Sequence, residues 1–331
     1  MKKIYLILSV FAVVFTACET DFDVNATWEE VIVVYGLLDA GDGKEVQQIK
    51  ISKAFLGEMN ALQMAQYADS INIDTSDFKV QVVRVKNNGD TYTMDCDPKE
   101  TVRESGTFNE IIILYEFPKV DSAFNDFLQP NAEYELIVEN KVSGNVVTSK
   151  TKIISNFDFD NVNSSGDDFF LYIKPLAPDS GFYYFKRLIW DHFTNGKIYQ
   201  VDISFDYLEN GESKNLIWSQ PLVTSNGNTM NTLLEGEKFF TFLKNNITKD
   251  DTKHRNFVNI DLIMTVGTSA LETYINVNRP ITGIVQQRPQ FTNINNGIGI
   301  FSSRFTHVRN NVDLSPDTKN YLIDELDRNF E

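Results

Sequence analysis

Apolar and polar positions alternate along most of the chain with the period of two that marks strands. Val31 to Leu38 are apolar on both alternating sets, as expected of a strand covered on both sides. Gly41-Asp42-Gly43 supplies turn chemistry, and the next strand sets Ile49 and Ile51 against Gln48, Lys50 and Ser52. Asn60 is placed to cap a short helix over Ala61 to Ala68. Strands resume at Phe78–Val85 and Thr91–Cys96, joined by the hairpin punctuation Asn87-Asn88-Gly89-Asp90. The period-two spacing of Tyr92, Met94 and Cys96 puts all three on one strand face.

The segment Leu128-Gln129-Pro130-Asn131-Ala132-Glu133-Tyr134-Glu135-Leu136 resembles the corner of immunoglobulin-like and fibronectin-type sandwiches, where a tyrosine packs at the turn into a strand. A strand pair bent at Ser143-Gly144-Asn145 closes this region near Ile154. Residues 30–154 therefore read as an immunoglobulin-like β-sandwich without the cysteine pair of antibody domains. Asn156 to Asp168, rich in Asn, Asp, Ser and Gly, is the best domain boundary. Residues 155–331 then read as a second β-rich domain. Tyr199, Val201, Ile203, Phe205 and Tyr207 form one buried strand face, and Val258, Ile260, Leu262, Met264 and Val266 another. Phe240, Leu243 and Ile247 fall at helical spacing. A C-terminal helix is expected after the cap Ser315-Pro316, with Leu322, Leu326 and Phe330 on one face. The predicted fold is mainly β, with one or two packed helices in the second domain and no repeat that would indicate a propeller or solenoid.

The first residues follow a different pattern. Lys2 and Lys3 precede an apolar run from Ile4 to Phe15 broken only by Ser9, and Thr16-Ala17-Cys18 follows. This is the order of a secretory signal, and the run falls short of the roughly 20 apolar residues a spanning helix needs. Thr16-Ala17-Cys18 resembles the lipobox of bacterial lipoproteins, which implies a signal peptide over 1–17 and acylation of Cys18 as the first mature residue. Several acyl chains on one residue make a stable anchor. Glu19, Asp21 and Asp23 resemble the acidic export signal of Bacteroidota surface lipoproteins, within an acidic linker over 18–29. Extended, the chain from Cys18 to the first strand near Val31 reaches roughly 40 Å.

Composition narrows the choice of partners. With 25 Phe and 13 Tyr in 331 residues the chain can build real cores. Its net charge of −16 deepens to −18 when the leader, with two lysines and no acids, is removed. Such a surface is repelled by phosphates, so nucleic acid is not an expected partner. Once Cys18 is acylated, Cys96 has no disulfide partner and reads as a small buried hydrophobe.

The sequence carries no recognisable catalytic constellation. Asp158, Asp160, Asn161, Asn163, Asp167 and Asp168 offer oxygen ligands suited to calcium, but their spacing departs from an EF-hand, and a solvated linker is the simpler reading. His192, His254 and His307 stand far apart in sequence, without a zinc motif. No nucleophile elbow or P-loop is present, and Gly297 and Gly299 form only a G-x-G, with Ser302 where a third glycine would be needed. No metal or cofactor is expected beyond the covalent lipid.

The stretch Gln286 to Arg304 reads as an extended segment, a turn at Asn295-Asn296-Gly297 and a strand over Ile298–Phe301. A structural plug and a recognition segment built on Arg288, Pro289, Asn293, Asn296, Gly297, Gly299 and Phe301 are the two readings. Pro289, Asn293, Ile294, Gly297, Gly299 and Phe301, with the anchor cysteine and the first domain, resemble Bacteroidota outer-membrane lipoproteins that carry a domain of unknown function. That resemblance implies a surface-exposed, lipid-anchored, non-enzymatic binding or scaffold subunit. The implied partner is an outer-membrane β-barrel such as a TonB-dependent transporter. The alternative is a surface carbohydrate-binding protein or hydrolase whose sugar platform draws on Trp190, Trp218 and the tyrosines.

Overall fold

β1 (Ile32–Asp39) turns at Gly41–Gly43 into β2 (Val46–Lys53), and the two pair antiparallel. The computed structural model describes residues 31–54, 72–86, 88–102, 111–120, 126–160, 169, 172–173, 182–280 and 290–331. The leader, Cys18, Glu19, Asp21, Asp23, the helix expected over Ala61–Ala68, Arg288 and Pro289 lie outside the described residues.

β3 (Phe78–Val85) and β4 (Thr91–Asp95) form the expected hairpin. Cys96 alone separates β4 from β5 (Asp97–Val102), and at this residue the chain crosses from one sheet to the other. β6 (Ile111–Pro118), β7 (Glu133–Asn140) and β8 (Val146–Lys152) follow. One layer is ordered β1-β2-β6-β5 and the other β4-β3-β7-β8, which is the A-B-E-D against C′-C-F-G arrangement of immunoglobulin-like sandwiches. Val34, Ile49, Ile51, Tyr115 and Phe117 from the first layer and Val80, Val82, Leu136, Val138 and Val147 from the second are buried. The tyrosine corner is formed. Tyr134 Oη donates to Phe127 O at 2.6 Å and accepts from Gln129 N at 2.7 Å.

β9 (Tyr172–Ile173) pairs with β10 (Phe182–Tyr183), and β11 (Phe185–Asp191) pairs with β15 (Thr229–Glu235). β12 (Ile198–Glu209) bends at Asn210-Gly211, both at positive φ, into β13 (Glu212–Ser219). β14 (Val223–Thr224) adds to β12. Helix α1 (Gly236–Asn246), β16 (Arg255–Gly267), α2 (Ser269–Asn278), β17 (Gly297–Val312) and α3 (Pro316–Asp324) complete the described elements.

β17 joins the two parts of the chain. Its first half, Gly297 to Arg304, pairs parallel with β1, and its second half, Arg304 to Val312, pairs antiparallel with β16. One sheet therefore runs β13-β12-β16-β17-β1-β2-β6-β5, with hydrogen bonds continuous between strands from either side of residue 154. Beyond the sandwich, Tyr199, Val201, Ile203 and Phe205 of β12 and Ile260, Leu262, Met264 and Val266 of β16 are buried. Trp190 of β11 packs on Tyr199 and Phe239 of α1 on Phe205, so the β11–β15 ribbon and α1 cover this face.

Four expectations need correction. Val258 is 51% exposed rather than part of the buried face. Asp206 pairs with Asn259 and Tyr207 with Phe257, so Val258 is the extra residue of a β-bulge that reverses the alternation. The C-terminal helix begins as predicted, with Thr318 N donating to Ser315 Oγ, but ends at Asp324. Leu326 and Phe330 reach the core from a turning, non-helical tail, in which Asp327 and Asn329 take positive φ and Phe330 forms a bridge with Arg255. α2 was not predicted, because none of its residues is fully buried and its apolar stripe is weak. β1 is buried on one face only; Tyr35 on the other is exposed and meets Tyr274 of α2 edge-on at 6.4 Å.

Candidate functional site

The glycine-rich stretch before and within β17 closes the open side of the sandwich. Asn293 acts as a side-chain substitute for a strand neighbour: its Oδ1 accepts from Phe301 N at 3.0 Å and its Nδ2 donates to Phe301 O at 2.6 Å. Asn295 exchanges main-chain hydrogen bonds with Thr148 of β8, and Asn296 Nδ2 donates to Val146 O. Ile294 and Phe301 are buried. A Cβ on Gly297 would lie 2.8 Å from Ile32 O, and one on Gly299, at φ +114°, would lie 2.0 Å from Val34 O. These residues cover the free edges of β1 and β8, which would otherwise present unpaired strand edges to solvent. Asn293, Gly297, Gly299 and Phe301 are thus engaged in the fold's own contacts, while Asn296 and Ile298 are exposed.

The acidic loop and the histidines are brought together in part. Asp158 accepts from Arg309 Nη2 at 2.9 Å and faces His307 Nε2 at 3.3 Å, while His307 Nδ1 lies 2.9 Å from Asp42. Burial, then Asp191 and Asp158, raise the Asp160 carboxyl above its ordinary range. Asn161, Asn163, Asp167 and Asp168 lie outside the described residues. His192 meets Tyr199 Oη and Ser225 Oγ, and His254 meets Glu331. Among the described residues no group of three His, Cys, Asp or Glu side chains is placed to hold a metal ion.

Trp190 is fully buried, which withdraws it from any sugar platform; Trp218 is half-buried and packs on Phe239 and Phe242. Cys96 is buried, as its spacing predicts, and burial, with Asp95 and Asp97 adding to it, pushes its thiol up to about 12. Met94 packs against the core on the same face, while Tyr92 emerges at the sandwich mouth.

Three concave regions stand out among the described residues. One of about 420 Å³ lies between the start of β16, the end of β17 and α3, beside the Lys319–Asp313 ion pair. A second of about 400 Å³ opens at the sandwich mouth by Arg84, Lys86 and Gln129. A third of about 310 Å³ lies where Lys150 and Lys152 of β8 approach Thr268 and Ser269. Sequence reasoning missed all three, since each is lined by residues from segments distant in the chain. No helix among the described residues is long and apolar enough to cross a membrane. Comparison with protein-family models and with characterised proteins returned no match to this chain.

Proposed function

We propose that this protein is an outer-membrane lipoprotein, anchored through acylated Cys18 and displayed at the cell surface, that acts as a non-enzymatic binding or scaffold subunit. Its partner on this reading is an outer-membrane β-barrel such as a TonB-dependent transporter. The leader, the Thr16-Ala17-Cys18 lipobox and the acidic run after it support the anchor.

One structural observation carries the scaffold part of the reading. The linker from Cys18 enters the body at Ile32, at one end of the sandwich, and that end carries exposed apolar side chains. Val102 and Ile111 are paired at the ends of β5 and β6, Val146 begins β8, and Val142, 76% exposed, sits in the β7–β8 turn. Apolar residues gathered where a tether leaves suit contact with a neighbouring membrane component. The reading is tested by membrane fractionation of a Cys18→Ser chain, protease shaving of intact cells, and pull-down through a C-terminal tag at native expression. Loss of membrane association on substitution, surface cleavage of the wild type and co-recovery of a barrel are expected. A wild type recovered only as free monomer opposes the barrel complex, and a Cys18→Ser chain that still fractionates with membranes opposes the anchor.

A further inference from the structure

We infer that the cavity at the mouth of the sandwich, at the end opposite the one where β1 begins, is a binding site for a carboxylate-bearing sugar or a similar small organic acid. Phe78, Val80, Val82, Arg84 and Lys86 share one face of the β3 segment by alternation, and the first three are buried in the core. Arg84 and Lys86 continue that face past the core into a cavity of about 400 Å³, with Asn88, Gln129 and Asn131 on its walls. A cavity of this size accommodates a small ligand.

The charge there is unusual for so acidic a chain. Arg84 is 8% exposed. Its Nη1 donates to Asp126 O at 3.0 Å and Phe127 O at 3.1 Å, its guanidinium carbon lies 4.7 Å from the centre of the Tyr92 ring, and its enclosed Nε has no hydrogen-bond partner. Lys86 Nζ lies 4.4 Å from the same ring centre and donates to Tyr92 Oη at 3.1 Å. Among the described residues neither cation forms an ion pair. The nearby Asp90 carboxylate takes a hydrogen bond from Asn88 Nδ2. Carbonyl and aromatic partners orient a buried cation but leave its charge uncompensated, which is costly unless an anion completes the site. A carboxylate supplies that charge. The Tyr92 ring, 47% exposed, lies beside the cavity and holds both cations at its edge, and the amides of Asn88, Gln129 and Asn131 on its walls are suited to hydroxyl groups.

This site does not depend on the anchor or on a barrel partner. Galacturonate, neutral galactose and sodium sulfate are titrated into the purified protein by calorimetry, with Lys86→Gln and Tyr92→Ser as variants and near-ultraviolet circular dichroism as the check on folding. Arg84 is left intact because it holds the corner carbonyls. Saturable galacturonate binding is expected, weakened about two- to fivefold by Lys86→Gln and weakened further by Tyr92→Ser, which removes the ring that holds both cations. Galactose should not bind, and added salt should weaken galacturonate. No saturation by about 10 mM, equal binding of galactose or sulfate, or unchanged affinity in both folded variants would overturn the assignment.

Discussion

The Asp39 carboxylate at the end of β1 accepts a 2.8 Å hydrogen bond from Arg304 Nε at the midpoint of β17, where that strand changes partners from β1 to β16. Asp39 is 2% exposed, and its two oxygens also accept from Thr306 N, Thr306 Oγ1 and Gly41 N. One side chain therefore fixes the register of β1, the β1–β2 turn and the second half of β17. Asp39→Ala should lower stability by about 3 kcal/mol, because it leaves these donors and a cation without their acceptor. Asp39→Asn should cost less. Urea unfolding followed by tryptophan fluorescence measures both.

Gly299 lies against β1 at a φ that side chains rarely adopt, and an added Cβ would overlap Val34 O. Gly299→Ala should destabilise by about 3 kcal/mol or more. Gly43 is the control: its φ is +73°, but a Cβ there meets nothing within 4 Å. Gly43→Ala should therefore cost only about 1 kcal/mol. Thermal melts of the two variants separate collision from backbone conformation.

Tyr134→Phe removes the acceptor of Gln129 N and the donor to Phe127 O, and should cost about 1–2 kcal/mol at neutral pH. Burial pushes the Tyr134 phenol from 10.0 up to about 12. A raised value favours the protonated form in the fold. Its contribution is complete below pH 10 and falls as pH climbs from about 10 to 12. Denaturant midpoints across that window should drop more steeply for the wild type than for Tyr134→Phe.

Cys96 should resist alkylation while the protein is folded. With its thiol pushed up to about 12 and its side chain buried, thiolate at pH 8 is scarcer than in a free cysteine by on the order of a thousandfold. In a Cys18→Ser chain, iodoacetamide labelling followed by mass spectrometry should show no reaction under native conditions and one adduct in urea. Rapid native labelling would contradict the burial.

A fragment comprising residues 31–155 should self-associate. It keeps both layers of the sandwich but loses Asn293–Arg304, so β1 and β8 become free edges. Size-exclusion chromatography of the fragment beside the full chain tests this, with a monodisperse monomeric fragment as the opposing result.

Much of the fold was legible where one local rule governed. The Tyr134 corner, the Ser315 cap, the β3–β4 hairpin and the alternating face of β12 each depend on residues within a few positions of one another. The bulge at Val258 was not legible, because it exists only in register with Asp206 and Tyr207 on another strand. The termination of α3 was also hidden. Leu326 and Phe330 keep helical spacing, but the tail gains more by pairing with Arg255, whose carbonyl accepts from Glu331 N and whose N donates to Asn329 O. At the candidate anion site, Arg84 and Tyr92 are visible as a hairpin pair, whereas Gln129 and Asn131 join them only through the corner.

By itself the amino-acid order determined the strand-rich class, the sandwich with its corner tyrosine, two of the three described helices and the inward placement of Cys96, because alternation, capping and turn chemistry act over short stretches of chain. Only the tertiary structure decided that Gly297–Arg304 would lie parallel to β1 and make one sheet of strands from opposite ends of the sequence. That pairing depends on backbone edges meeting across more than 260 residues of chain, and no local pattern encodes which edge a glycine-bearing strand will find.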